Sequence, residues 1–533
     1  MRSRLFSIAV AAAFAVTLTS CSSGGSSSGE GSSSAAASSE APASESPASE
    51  APSNPALVEF VSALGQDIPN LDIRLPGSSA AGHSAMRHIT EPLVFFDPEG
   101  KELKGVLATS WEQIEPTKWQ FKLREGVTFQ DGSPFNADSV VKSINDSIDP
   151  DFDIWYRYGT GEVLGAAEKV DDYTVNINTL IPYPLFPNLL TVVDMVPADS
   201  TYESQNTNPI GTGPYAFESF RSNDSLVVKR YDGYWGEPEQ YSGIKFRIIP
   251  ETSTRVQALL AGEVSGISSI GVSDIGTINA SDTASVVGAP QQQQVLIALR
   301  GDRAPLDNPL IREAMNYAVD KDLITSTILS GVAAPATGFL PPGLPGAQNK
   351  GAWPYDPEKA KALMSEAGYN GEEITMGVGS GRYTGDEEVG LAVAKMLEDV
   401  GFNINYVASD YATFATETQK RADSQYDIFL SSWIADFNDS AAMMDAFFSG
   451  DDSPIPSFYN NPAYKAASKK AKAATTEADR MAAIHEMEDI AWDDAAALFL
   501  YFPVENYGVS KKLVDFKPRV DGFFYWYGTH LAE

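Results

Sequence analysis

The chain has little of what metal and redox chemistry uses. It contains 1 Cys and 4 His in 533 residues. A single cysteine forms no internal disulfide and no Cys-based metal site. His83, His88, His485 and His530 show no ligand spacing, and His485-Glu486 lacks the second His of a zinc-protease helix. No metal and no cofactor are expected. Positive charge is scarce as well: 38 Lys and Arg stand against 71 Asp and Glu, a formal net charge of −33. Such a chain repels nucleic acid and anionic headgroups, and no basic stripe with interleaved aromatics offsets this. There is no Gly-x-Ser-x-Gly elbow and no Walker lysine motif. Acidic pairs are too common here to mark a catalytic dyad. The expectation is a binding protein, not an enzyme, with a secreted hydrolase as the remote alternative.

The one cysteine is informative by its place. Arg2 and Arg4 precede an apolar run from Leu5 to Val16, and Leu18-Thr19-Ser20-Cys21 follows. The run is too short to span a bilayer, which needs about 20 residues. A basic start, a short apolar stretch, a small residue and a cysteine make a secretion signal resembling a lipobox, with Cys21 the acylated first residue of the mature chain. Residues 1–20 read as a lipoprotein signal peptide. Residues 21–55, almost all Ser, Ala, Gly, Pro and Glu, bury too little apolar surface to fold and read as a disordered tether. The body should then work outside the cytoplasm, anchored to the cell membrane by lipidated Cys21.

From Ala56 onward the composition is globular. Asn308-Pro309 reads as cap and first residue of a helix carrying Ile311, Ala314, Met315, Ala318 and Val319, with Gly331 as the stop. Asp356-Pro357 opens a second helix that Gly368 ends. A third runs from Asp386 to Gly401, and a fourth from about Glu477 to Asp494. Strand-like runs lie at Ile374–Val378, Phe402–Tyr406 and Tyr426–Trp433. From 374 to 433 the order is strand, helix, strand, helix, strand, the pattern of a largely parallel sheet covered by helices. The first half, with Trp119–Leu123 and Val175–Ile177 alternating between turn formers, reads as mixed sheet.

An ordered series of motifs runs through this body. Leu107-Ala108-Thr109-Ser110-Trp111-Glu112 is followed by Phe121–Phe129 and Asp131-Gly132-Ser133-Pro134-Phe135. Then come Pro209-Ile210-Gly211-Thr212-Gly213-Pro214-Tyr215, Tyr234-Trp235-Gly236 and Ala304-Pro305-Leu306-Asp307. Leu340-Pro341-Pro342-Gly343, Tyr355–Ala360 and Tyr459-Asn460-Asn461-Pro462 complete it. In this order they resemble the family 5 solute-binding proteins of ABC importers, which bind peptides, nickel complexes and related solutes. The resemblance covers roughly 56–524. It implies an α/β, two-lobed periplasmic-binding-protein clamshell of type II. Lobe I would take 56–294 plus 505–533, with an extra subdomain at 97–206, and lobe II would take 295–504. It further implies a monomeric receptor that captures a short peptide between its lobes and hands it to membrane permease subunits. An oligosaccharide, an opine or a nickel chelate is the alternative solute.

In open α/β sheets ligands bind beyond the carboxyl ends of strands. Gly379-Ser380-Gly381-Arg382-Tyr383 and Trp433-Ile434-Ala435-Asp436 follow the first and third strands of the alternating run, and right-handed crossovers put both loops on one sheet edge. Together they offer a carboxylate for a peptide ammonium and a guanidinium for its carboxylate. The Trp-x-x-Asp element resembles the one whose Asp holds the peptide α-amino group, which gives Asp436 that role; Arg382 is placed on the carboxylate. Trp433 and Tyr383 are candidate ligand-stacking aromatics, with core packing as their other reading. Asp436 could instead cap the helix at Ser440. Arg300 is a further anion contact or a salt bridge to Asp302. The loop departs from the family in having Asp439-Ser440 where a proline commonly follows the acid. Gly211-Thr212-Gly213 superficially resembles a dinucleotide loop, but Pro214 and the missing helix pattern oppose that.

Overall fold

The computed structural model describes residues 58–74, 80–149, 163–380, 385–435, 437–451 and 453–532. Its backbone is a mixed sheet of 12 strands. At one end Glu373–Ser380 runs parallel to both Asn403–Asp410 and Ile428–Ile434, so the alternating run forms the expected parallel sheet. Gln293–Leu299 then pairs antiparallel with Ile428–Ile434 on one side and with Ala497–Ser510 on the other.

Ala497–Ser510 joins everything. Its first residues, Ala497 to Tyr501, pair with Gln293–Leu299; its last, Val504 to Ser510, pair with Ala284–Pro290. The sheet then continues through Gly266–Ile267, Val58–Leu64, Tyr241–Ile248, Ser225–Arg230 and Tyr215–Arg221. Two separate apolar cores pack on the first half of this sheet. One gathers Phe339, Phe447, Phe448 and Trp492; the other gathers Ile297, Met315, Val393 and Leu397. The second half carries its own core around Phe60, Phe246, Tyr507 and Trp526. A third region has a separate four-stranded sheet and a core of Phe121, Phe129, Val140 and Phe186. There Trp119 faces Ile177 and Phe121 faces Val175, the alternating residues filling the interior.

Local signals fixed most helix ends. Asn308 accepts from the Leu310 N–H ahead of the helix Pro309–Ala318, and Asp356 caps Pro357–Ala367, which stops at Gly368 with φ 73°. Asp386–Val400 stops at Gly401 with φ 111°, and Glu477–Asp493 starts at the Thr476 cap. One expectation fails. The helix from Pro309 ends at Ala318 rather than continuing towards Gly331. Asp320 takes an extended conformation and accepts from the Leu323 N–H, starting a new turn that passes into a π-helical segment, Ile324–Ile328. A side chain that caps a turn competes with the helix it interrupts.

Among the described residues no helix is long and apolar enough to cross a membrane, and no group of three or more His, Cys, Asp or Glu could hold a metal ion.

Candidate functional site

The parallel strands Glu373–Ser380 and Ile428–Ile434 end on the same edge of the sheet. Beyond it the chain meets the other half of the molecule. The Ala435 N–H donates to the Gln292 carbonyl at 2.9 Å, and the Gln292 N–H to the Val520 carbonyl at 2.9 Å. Asn438, in the left-handed region with φ 56°, donates its amide to the Gly100 carbonyl at 2.6 Å. Phe437 enters the core built on Phe121 and Phe186. These contacts enclose a small cavity lined by Phe95, Thr191, Gln292, Ala435, Asn438 and Phe523. Its walls come from both sides of the Ala497–Ser510 ribbon.

A few residues further on, Asp439 caps the helix Ser440–Phe448 by accepting from the Ala441 and Ala442 N–H groups. Arg480 grips the same carboxylate with Nη2 at 2.7 and 2.6 Å, and the Tyr183 phenol also donates to it. Burial opposes the charge on Asp439, but Arg480 and the surrounding donors outweigh it and hold the carboxyl below its usual range. Arg480 lies over the Tyr183 ring at 5.2 Å.

The cavity's other wall rests on a scaffold made by two of the sequence motifs. Gly211 and Gly213 run against residues 88–90: a Cβ on Gly211 would sit 2.1 Å from the Ile89 carbonyl oxygen. Gln130 stitches the crossing, donating to the carbonyls of Ile89, Gly213 and Tyr215 and accepting from the Gly211 N–H. Thr212, Tyr234 and Trp235 all donate to the buried Glu91 carboxylate, at 2.8, 3.0 and 2.9 Å. Burial still pushes the Glu91 carboxyl up to about 7. Glu91 in turn takes the Met195 N–H on its own carbonyl, and Thr90 donates to Asp194. The glycine loop is therefore a close backbone crossing and not a nucleotide site.

Asp436, Arg382, Tyr383 and Cys21 lie outside the described residues, as do the signal peptide 1–20 and the tether 21–55. Trp433 is half-buried and packs on the phenylalanine-rich core. Arg300 is buried and fully engaged: Nε and Nη2 meet Asp302 at 2.8 and 2.7 Å, and Nη1 donates to the Arg421 carbonyl. It follows the end of Gln293–Leu299 that pairs with Ile428, whereas the cavity lies at the Ile434 end, about 20 Å away at the usual strand rise. The Asp302 pair that the sequence allowed is thus what this arginine makes.

Residues 102–454 match the bacterial extracellular solute-binding proteins, family 5 Middle. The chain belongs to this family. The glutathione-binding protein GsiB of Pectobacterium atrosepticum is 29% identical over 492 residues, covering 90% of this chain and 95% of that protein. Among solved structures, DppA of Helicobacter pylori in complex with the peptide STSA superimposes with TM-score 0.75 at 23% identity, over 89% of this chain and 98% of its own. NikZ of Campylobacter jejuni in complex with Ni(L-His) gives 0.74 at 21%, over 87% and 97%.

As a family 5 protein the molecule is an extracytoplasmic substrate-binding component of an ABC importer, not an enzyme, with the two-lobed type II fold. Several residues at this crossing are not legible from the sequence. Asn438 and Asp439 stood next to the residue chosen, Asp436, but their partners Gly100 and Tyr183 are remote in sequence. Arg87, Arg519 and Asp521 went unnoticed because isolated charges beside aromatics carry no periodic signal. The run Gln291–Gln294 spans the link after Ala284–Pro290 and the start of Gln293–Leu299, a polar stretch at the crossing point.

Proposed function

We propose that the protein is a lipid-anchored receptor that captures short peptides between its lobes and delivers them to a membrane permease. Lobe I would comprise 56–294 and 505–533, with 97–206 as its extra subdomain, and lobe II 295–504. The observation that carries the reading is that the two halves of the molecule meet beyond the carboxyl ends of the parallel strands, through Asn438 on Gly100 and Ala435 on Gln292. A solute there would touch both lobes at once, and contacts available only on closure are what favour the closed state. Asp436, one residue from the cavity-lining Ala435, takes the peptide ammonium; Arg382, beyond the strand ending at Ser380, takes its carboxylate. Relatives named for glutathione and a structural neighbour holding a peptide support this solute class. Cys21 anchors the chain, and 21–55 is the tether.

The test is a thermal-shift screen of the protein against di- to octapeptides, sugars, opines and nickel chelates. A ligand at 100 times its Kd adds about 2.7 kcal/mol of stability. Stabilisation by peptides with free termini, lost on blocking them, supports the reading. A response to sugars, opines or chelates alone replaces the solute class.

A further inference from the structure

A second pocket shares no lining residue with the cavity beside Ala435. It measures about 310 Å³, at the small end for ligand pockets, which run from about 300 to 1,000 Å³. One stretch of its wall is Gln113 to Pro116, where the strand Ala108–Glu115 turns, and another is Pro182-Tyr183-Pro184. Thr475, just ahead of the helix Glu477–Asp493, lines it as well.

Much of this wall is fixed before any ligand arrives. Proline has a locked φ and no N–H, so Pro116, Pro182 and Pro184 offer carbon surface that needs little ordering. Tyr183 is 6% exposed; its hydroxyl is engaged by Asp439, and the Arg480 guanidinium lies 5.2 Å from its ring centroid. Ile114 lines the pocket and is 41% exposed, while Leu180 and Ile181, which lead into Pro182, are 60% and 38% exposed. Three of the eight large apolar side chains exposed among the described residues thus lie on this pocket or in the two residues before it. Apolar side chains exposed singly need no explanation, but a group of them beside a concavity marks a contact site.

The polar groups in the pocket are acceptors. Glu115 is its one charged lining residue among the described residues; it is exposed and makes no ion pair or hydrogen bond among them. Lys118, opposite it across the hairpin, reaches Glu168 at 3.9 Å instead. Gln113 donates its amide to the Pro116 carbonyl at 3.0 Å, which leaves its side-chain oxygen to accept. We infer that this pocket is a second ligand site, for a small amine that carries its ammonium on an apolar body. An ammonium has three donors and no acceptor, which complements Glu115 and Gln113, and the body would lie on the prolines and Ile114. A carboxylate of the same shape would be repelled. The site does not depend on what fills the space beyond the parallel strands.

Calorimetry with phenethylamine, 2-phenylethanol and phenylacetate, similar in shape and different in charge, tests it. The amine should bind about fivefold more tightly than the alcohol, the upper end for an ion pair open to solvent, and the acid more weakly than either. That gap should shrink in 1 M salt and close in Glu115→Gln. Ile114→Ser should weaken amine and alcohol together, since both bury the same apolar body. Both side chains are exposed, so both variants should melt where the parent does; should one not fold, the other decides. Amine and alcohol binding alike, no binding of any of the three, or an amine affinity unchanged in either variant, as binding at Asp436 would give, overturns the site. None of these results touches the peptide reading, which the peptide screen decides by itself.

Discussion

Tyr183 donates its phenolic proton to Asp439, 256 residues away in sequence. The tyrosine belongs to the core around Phe186, and the aspartate caps the helix Ser440–Phe448. Both are buried, and Arg480 holds the aspartate ionised. Neither residue lines the cavity beside Ala435, so the bond bears on the contact between the two segments rather than on a solute there. Tyr183→Phe removes the cross-lobe bond while leaving the Arg480 pair intact. It should weaken any closing ligand by about 1.5 kcal/mol, the value of a hydrogen bond to a charged group. Calorimetry would show this as a faster-dissociating, roughly tenfold weaker complex with little change in melting temperature of the empty protein.

Arg480→Leu should behave differently. It strands the buried Asp439 charge, and breaking one side of such a pair costs about 3–5 kcal/mol. Chemical denaturation should show that loss without ligand, and acid should partly relieve it by protonating Asp439.

The Glu91 carboxyl predicts a pH slope. Burial raises it to about 7 in the fold from an ordinary 4.5, so between those values the folded state holds a proton that the unfolded state has released. Its contribution to stability is therefore fullest below pH 4.5 and declines as pH rises to about 7. Glu488, raised to about 7 by burial although the Leu340 and Gln348 N–H groups donate to it, adds the same sign. Asp439, held below its usual range, works oppositely, and only at lower pH: its support is present above 3.8 and lost as acid titrates the folded state. Melting temperature should fall from pH 5 to pH 8, and Glu91→Gln should flatten that fall. An equal slope in the variant would remove Glu91 as its source.

Gly211→Ala should be among the most damaging small substitutions in the first half of the chain. The added Cβ meets backbone at 2.1 Å, which no rotamer can relieve. A loss on the order of 3 kcal/mol or more is expected, against about 1 kcal/mol for Gly126→Ala, where a φ of 77° is the only obstacle. Denaturant midpoints of the two variants provide the comparison.

Cys21→Ser should release the protein from the membrane. In cells labelled with a fatty-acid analogue, the native chain should carry label and the variant none.

What the sequence made legible was local. Asn308-Pro309, Asp356 with Gly368, and Asp386 with Gly401 mark helix ends because cap and stop lie within the helix they bound. The strands at 373–380 and 428–434 showed through their apolar runs, and their parallel pairing followed from the crossover rule. What stayed hidden was pairing over distance. Thr212 and Trp235 were visible as motifs, yet Glu91, which they serve, lies 121 and 144 residues from them. The break at Asp320 was missed since a capping aspartate looks like any polar residue on a helix face. At the site, the ligand-facing choices of the sequence rest on a sheet edge the structure reproduces, while Arg300 went to the wrong end of its strand for any part in the cavity. The cluster around Phe95 was unreadable: Arg87, Asp194, Arg519 and Tyr525 come from distant segments and meet only after folding.

Ala497–Ser510 is a single strand that pairs with Gln293–Leu299 at one end and Ala284–Pro290 at the other, and it restricts what the two halves of the sheet can do. Sliding or stretching along it would break many ladder hydrogen bonds together. Opening and closing would then run mainly along one coordinate, the angle between the two faces. Any second protein resting on both faces would sense that angle and nothing of the solute's chemistry. Loading would be announced in the same form whatever had been loaded.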